Sequence, residues 1–388
     1  MSAHAEQLRV QASATRLRAA ADSPAPSGRI RAIDFARGLA VTLMIVSHGV
    51  NGLLDFAQFT DWGLVPVHAL TKLASSLFIV VFGIAMAVIF VPRVQAPDWP
   101  ARRNRLLWRA VVVLLCYKVL TIVELYATQD RQAIIDTLLY RNFPSYVEIL
   151  GFYAIALLWI PWFLPVWARM PALLRWASPV LAGLASWWLL ENFGFWGVPQ
   201  LQALVVEHPD YYAWGQLARL PLVLLGLLIG GLVLRWYGQI RPRLLLAAGI
   251  ALASAVTLAG FLAWVDGPLR PALDAIARNA GKHPPELGFM LFSVGGALGL
   301  LALALAGGET LARWLRPITI VGSDALMAFI FHIVVIFVLF RSWLGYRHTV
   351  EYLFALQLSL ALVLATAAWI ALWQWITRRT APRPARAR

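Results

Sequence analysis

The stretch RIRAIDFARGLAVTLMIVSHGVNGLLDF, residues 29–56, decides the fold class. Between Arg37 and Asp55 its only ionisable side chain is His48, and the run has about the 20 residues a helix needs to cross a bilayer. Nine more apolar segments follow. The expected spans lie near 37–56, 65–90, 106–126, 147–168, 177–196, 216–235, 244–265, 286–307, 317–340 and 353–377. Hydrophobic residues make up 60% of the chain and charged residues 13%, against about 25% charged in a soluble protein. Mean hydropathy is +0.70. Too few charges are present to cover so much apolar surface in water. A transmembrane β-barrel would alternate with period two in segments of about ten residues, and these runs do not. The expected architecture is all-α: a polytopic membrane helix bundle of about ten transmembrane helices.

Charge orients the bundle. The formal charge is +14, and most of the 33 Lys and Arg fall in alternate loops and at the two ends. By the positive-inside rule both termini are expected in the cytoplasm. Residues 1–28 read as a flexible cytoplasmic tail, 29–378 as the membrane domain and 379–388 as a basic cytoplasmic tail. The expected location is the plasma (bacterial inner) membrane, as a multi-pass protein. The basic residues form no array with interleaved aromatics, so nucleic acid is excluded as a partner. The single Cys116 lies in an apolar run and allows no intramolecular disulfide. No metal-binding or nucleotide-binding motif is present.

An ionisable side chain inside a bilayer costs a few kcal/mol, so each one needs a reason. At about 100° per residue, Arg37 and His48 share one helix face, and Asp34, Asn51 and Asp55 fall within about 60° of them. Arg37 sits at the cytoplasmic border and His48 about 16 Å further in. A polar stripe of this kind faces a bundle interior or a wet cavity. An imidazole with a pKa near 6.5 can accept a hydroxyl proton at neutral pH, and a nearby carboxylate could orient it. The plain alternative for His48 is a buried histidine bonded to a neighbouring helix. Lys118 suits a counter-charge for a substrate anion, or an interhelical ion pair. Glu124 needs a partner from another helix. Glu148 opens a helix, where a carboxylate meets the N-terminal dipole. His68 and Lys72 lie at the outer end of the second segment, as interfacial anchors or site residues. His332 lies mid-segment at a depth comparable to His48.

Residues 29–48, with the Arg37–Gly38 pair and the Arg37-to-His48 spacing, resemble the first helix of the transmembrane acyltransferase superfamily. That group includes the acyltransferase type 3, heparan-α-glucosaminide N-acetyltransferase and glucan succinyltransferase types. SSLFIVVFGIAMAV from Ser75 is similar to its second helix, and VGSDALMAFIFHIVV from Val321 to its late helix with Phe329 one turn before His332. FPSYVEILGFYAIALLWIPW from Phe143 resembles the succinyltransferase branch. The second helix departs from type 3 members, which usually carry a Ser near Gly83.

The resemblance implies an enzyme that moves an acyl group, with acetyl foremost, from cytoplasmic acyl-CoA to a sugar, glycan or lipid-linked acceptor across the lipid bilayer. His48 would be the catalytic histidine, as base or acyl carrier, with Arg37 and Asp34 grouped beside it. Arg31, Arg37, Arg103 and Lys118 are the candidates for holding the coenzyme. Asn51, Asp55, His68, Glu124, Glu148 and His332 are the candidates for the acceptor. Assembly into a homo-oligomer is compatible with this reading. The alternative is a proton-coupled transporter or lipid flippase with an intramembrane His, Asp and Lys relay. Such folds often carry inverted repeats, and the two halves show no convincing one.

Overall fold

The structure, a computed structural model, describes residues 29–55, 57–58, 64–126 and 130–380. The expected tail at 1–28 lies outside the described residues, as does 381–388 of the expected tail 379–388, whose first two residues continue the last helix. Backbone N–H and C=O groups in hydrocarbon can be satisfied only within the segment or a closed sheet. The apolar runs accordingly fold as helices, ten of them long and apolar enough to span. These are α1 Arg31–Leu53, α2 Val65–Arg93, α3 Trp99–Tyr126, α4 Glu148–Arg169, α5 Ala172–Asn192, α6 Gln216–Trp236, α7 Ile240–Trp264, α8 Leu287–Trp314, α9 Ala325–Trp343 and α10 Tyr352–Arg379. Beyond two isolated bridges, no strand occurs among the described residues. The chain is thus an all-α, multi-pass membrane bundle.

Several boundaries differ from the sequence expectation. The first helix closes at Leu53, and Leu54 turns extended (φ −62°, ψ 136°), so Asp55 lies beyond the helix. The fifth helix begins at Ala172 rather than near 177. The ninth run is two pieces. A short helix, Arg316–Ser323, is followed by Asp324 at φ −141° and ψ 76°, whose carboxylate accepts from Met327 N at 3.2 Å and starts α9. An aspartate inside an apolar run is here a helix start, because its short side chain satisfies an orphan N–H.

The core sits where α1 meets its neighbours. α1 packs against α2, α8, α10 and the helix Arg316–Ser323, α3 against α4, and α6 against α2 and α5. Gly38 and Gly322 let α1 and the short helix touch through their backbones. A Cβ on either would collide with the facing carbonyl, of Ile318 or Asp34. Gly83 and Gly226 do the same for α2 against α6. In lipid, helices associate through such small-residue contacts. α2 breaks at Lys72, between Val65–Thr71 and Leu73–Ile89. That joint turns a lysine inward, and it is 4% exposed.

Candidate functional site

The polar stripe of α1 separates into two ends. At its start Asp34 is buried, and accepts from Arg29 Nε at 2.5 Å and Nη2 at 3.2 Å. Arg37 lies 3.5 Å from the same carboxylate and donates to Gly322 O at 3.1 Å. The pairing of Arg37 with Gly38 therefore has a local reason: the glycine admits the short helix, and the arginine caps its free carbonyl. Asp34 lies fourteen residues, about 21 Å along the helix, from His48 and cannot orient it.

Beside Arg37 opens a chamber of ≈ 450 Å³. Phe78, Phe82, Phe90 and Phe329 give it aromatic walls, and Arg37, Arg109 and Asp324 supply its charge. Of the expected coenzyme residues, Arg37 lines it and three do not. Arg31 pairs with Glu309 at 3.6 Å. The Arg103 guanidinium lies 4.1 Å above the Trp162 ring. Lys118 donates to the carbonyls of Thr137 (3.3 Å) and Leu138 (2.8 Å), capping the helix Arg131–Leu138, and stands 3.4 Å over Tyr140. A cation on the last carbonyls of a helix is a structural placement. Arg109, two turns further along α3 than Arg102, lines the chamber beside Arg37.

The other end is built around a pair of histidines. His48 Nδ1 lies 3.1 Å from His332 Nε2, with the rings stacked at 28°. His332 Nδ1 lies 2.8 Å from Ala328 O. A carbonyl only accepts, so in the neutral pair the proton of His332 is on Nδ1, and its Nε2 is a lone pair. His48 must then donate through Nδ1, which leaves the lone pair of His48 on Nε2. The orienting partner of His48 is thus a second histidine from α9 and not a carboxylate. Tyr146 and Phe329 set their rings against His48, at 5.3 Å and 6.1 Å between centroids.

His48 lines a second chamber of ≈ 470 Å³ with Ser47, Asn51, Tyr146, Glu148, Tyr212 and Lys282. A deeper recess of ≈ 40 Å³ shares Ser47, His48, Glu148 and Lys282 and adds Thr71, Lys72, Ser75 and Trp214. Asn51 donates to Ser47 Oγ at 3.3 Å, which directs both polar tips into this end. Glu148 faces both spaces from the first turn of α4. Glu124 does not reach them. Its carboxylate accepts from the N–H groups of Ser145 (2.8 Å) and Tyr146 (3.1 Å), and so fixes the loop that holds Tyr146 on His48. Asp55 accepts from Ala57 N at 3.0 Å, closing the turn after α1. His68 is buried, 6.5 Å from the Tyr352 ring, and belongs to the α2 interface.

The loops supply what the stripe did not announce. Lys282 Nζ donates to Tyr212 Oη at 2.5 Å, and its carbonyl accepts from Arg219 Nη2 at 2.8 Å. Arg219 makes a two-pronged pair with Glu207, at 2.7 and 3.2 Å, and His283 Nδ1 donates to the same carboxylate at 2.7 Å. All three side chains are buried. Burial would raise the Glu207 carboxyl, but Arg219 and His283 outweigh it and hold it below the usual range. Burial pushes His283 down to about 4. Burial also lowers the Lys282 ammonium, against the pull of Glu148, and raises Tyr146 to about 12. Lys282 and Arg219 were legible only as charges in segments between and beginning helices. Among the described residues no cluster of three His, Cys, Asp or Glu is arranged to hold a metal ion.

The two chambers share no lining residue. Phe329 stands between them: it lines the first, and its ring meets His48 and His332 edge-on. Comparison with known proteins identifies a family. The family model described as heparan-alpha-glucosaminide N-acetyltransferase, catalytic, matches residues 29–263, more than half of the chain and all of the polar stripe. No curated protein matches the chain.

Proposed function

The chain belongs to the heparan-alpha-glucosaminide N-acetyltransferase catalytic family, and on that premise we propose that it moves an acetyl group from cytoplasmic acetyl-CoA to a sugar or glycan amine or hydroxyl across the bacterial inner membrane. The coenzyme enters the Arg37 chamber, where Arg37 and Arg109 face its phosphates and the phenylalanines its pantetheine arm. The acceptor enters the His48 chamber from the opposite end of the bundle.

His48 acts as general base. Its Nε2 lone pair takes the proton of the acceptor as that nitrogen or oxygen attacks the thioester carbon. The C–S bond then breaks, the coenzyme thiolate leaves, and the proton passes from His48 to the sulfur. His332 is the positioning residue, since its hydrogen bond selects the tautomer that leaves Nε2 free, as the third member of a triad does. Asn51 and Ser47 hold acceptor hydroxyls. The observation that carries this reading is the 3.1 Å bond from His48 to His332 at a ring that borders the acceptor chamber. The test uses proteoliposomes with acetyl-CoA on one side and glucosamine on the other. Production of N-acetylglucosamine should fall by about 10²–10⁴-fold for His48→Ala at equal amounts of folded protein, and undiminished turnover would remove the reading.

A further inference from the structure

Attack on a thioester leaves a negative charge on the former carbonyl oxygen, and that charge needs a hydrogen-bond donor held close to the base. The histidine pair does not supply one. The Nδ1–H of His48 is spent on His332, and the Nδ1–H of His332 on Ala328 O. Elsewhere on the chamber wall, the Lys282 ammonium is turned to Tyr212 and the Asn51 amide to Ser47.

Tyr146 is placed differently. Its ring stands edge-on to His48, with 5.3 Å between centroids and 76° between planes, and edge-on to Phe337 at 4.9 Å. Its backbone is held by Glu124, a buried carboxylate that accepts from the N–H groups of Ser145 and Tyr146. A buried carboxylate is costly unless it is hydrogen-bonded, and this one is used to fix a single turn. The phenol that the turn presents has no acceptor for its O–H among the described residues. The residue is half-buried and lines the acceptor chamber. Burial pushes the phenol up to about 12, against the pull of Arg341, so at neutral pH it keeps its proton and can donate. A phenylalanine would pack as well against His48 and Phe337, so the hydroxyl has no use in the fold.

We propose that Tyr146 is a second catalytic residue, whose O–H donates a hydrogen bond to the thioester carbonyl oxygen while His48 takes the proton of the acceptor. The lone pair of the acceptor forms the new bond to the carbonyl carbon, and the π pair moves onto the oxygen that faces Tyr146. The C=O bond then reforms as the C–S bond breaks. The sulfur takes that pair and receives the proton held at Nε2 of His48. Tyr146 keeps its own proton throughout. Glu124 is its positioning residue. This rests on the reading of His48 as the base of an acyl transfer, and it assigns the charge that His48 leaves unstabilised.

The test is Tyr146→Phe in the full chain, with acetyl-CoA and glucosamine in proteoliposomes. The expected result is a kcat lower by about 10²–10³-fold, the usual loss of one oxyanion donor, with KM for both substrates and the unfolding midpoint unchanged. A second readout is the infrared carbonyl band of acetyl-CoA, isotope-labelled at the thioester carbon and bound in lipid nanodiscs without acceptor. A hydrogen bond weakens the C=O bond, so the band of Tyr146→Phe should lie at higher wavenumber than that of the wild-type protein. A Tyr146→Phe protein that turns over as fast as wild type overturns the proposal and leaves the reading of His48 standing. A loss of kcat with the band at its wild-type position makes the ring a packing element only, and overturns it too. No transfer by the wild-type protein removes the reading of His48 and the role of Tyr146 with it.

Discussion

The two ends of α1 treat charge in opposite ways. At the Arg37 end each charge near the backbone has a partner of fixed geometry: Arg29 and Arg37 share Asp34, Arg31 has Glu309, and Arg37 also caps Gly322. At the His48 end the fully paired charges are set one layer back, in Glu207, Arg219 and His283. The groups in front of them, His48, Lys72, Glu148 and Lys282, line open space. Paired charge holds helices in place, while charge facing a cavity is available to a ligand. On the proposed function the first end docks the donor, where Arg37 and Arg109 line a chamber, and the second carries the chemistry.

The comparison breaks most sharply at His48. Its replacement by Ala should lower transfer by about 10²–10⁴-fold, the usual contribution of a positioned base, with the unfolding midpoint little changed. Next in size is the supporting layer. Glu207→Gln leaves Arg219 buried without its counter-charge, and breaking such a pair costs about 3–5 kcal/mol. Chemical or thermal unfolding in detergent should show it, and an unchanged midpoint would place the strength of this end elsewhere.

The same layer should also make stability depend on pH. His283 has a folded pKa of about 4 against 6.5 when unfolded. Between those values the unfolded chain binds the extra proton, so its contribution is intact above 6.5 and is lost as the pH falls toward 4. At pH 5 the loss should be about 2 kcal/mol. His283→Gln should therefore show a smaller drop in midpoint from pH 7 to pH 5 than the wild-type protein, and equal drops would contradict it.

His332→Phe keeps a ring against His48 and removes the acceptor. Transfer should fall roughly 10–100-fold, the size of the loss when the partner that orients a metal-bound imidazole is removed, and its pH profile should move. A rate that falls without movement of the profile would mean that packing is the only role of His332. The smallest effect belongs to the Arg37 end. Asp34→Asn weakens contacts to two partly exposed arginines and should cost about 1 kcal/mol, with transfer retained.

Much of this was legible from residue order, and the limits are physical. Ten apolar runs gave ten spans because in lipid the backbone has few other choices. The stripe placed His48 and Asn51 in the cavity, since helical phase is local. It failed at Asp55, where the helix stops two residues earlier, and at Asp34, which shares the phase of His48 but not its depth. His332 could be matched to His48 in depth, though not joined to it. Lys72 was visible as an anchor or site residue at the outer end of the second segment, and Lys282 only as a charge. Bringing a joint in α2 and a loop before α8 to one recess is a matter of long-range packing, which no periodicity encodes.

Phe329 has one more implication. A protein that receives one reactant from each side of an energised membrane risks becoming a leak, since a continuous water path past His48 would discharge the proton gradient. On the proposed function, the Phe329 ring, which lines the first chamber and meets His48 edge-on, stands against that short circuit. Trimming it to Ala should be felt by the cell as lost membrane potential before it is felt as lost product.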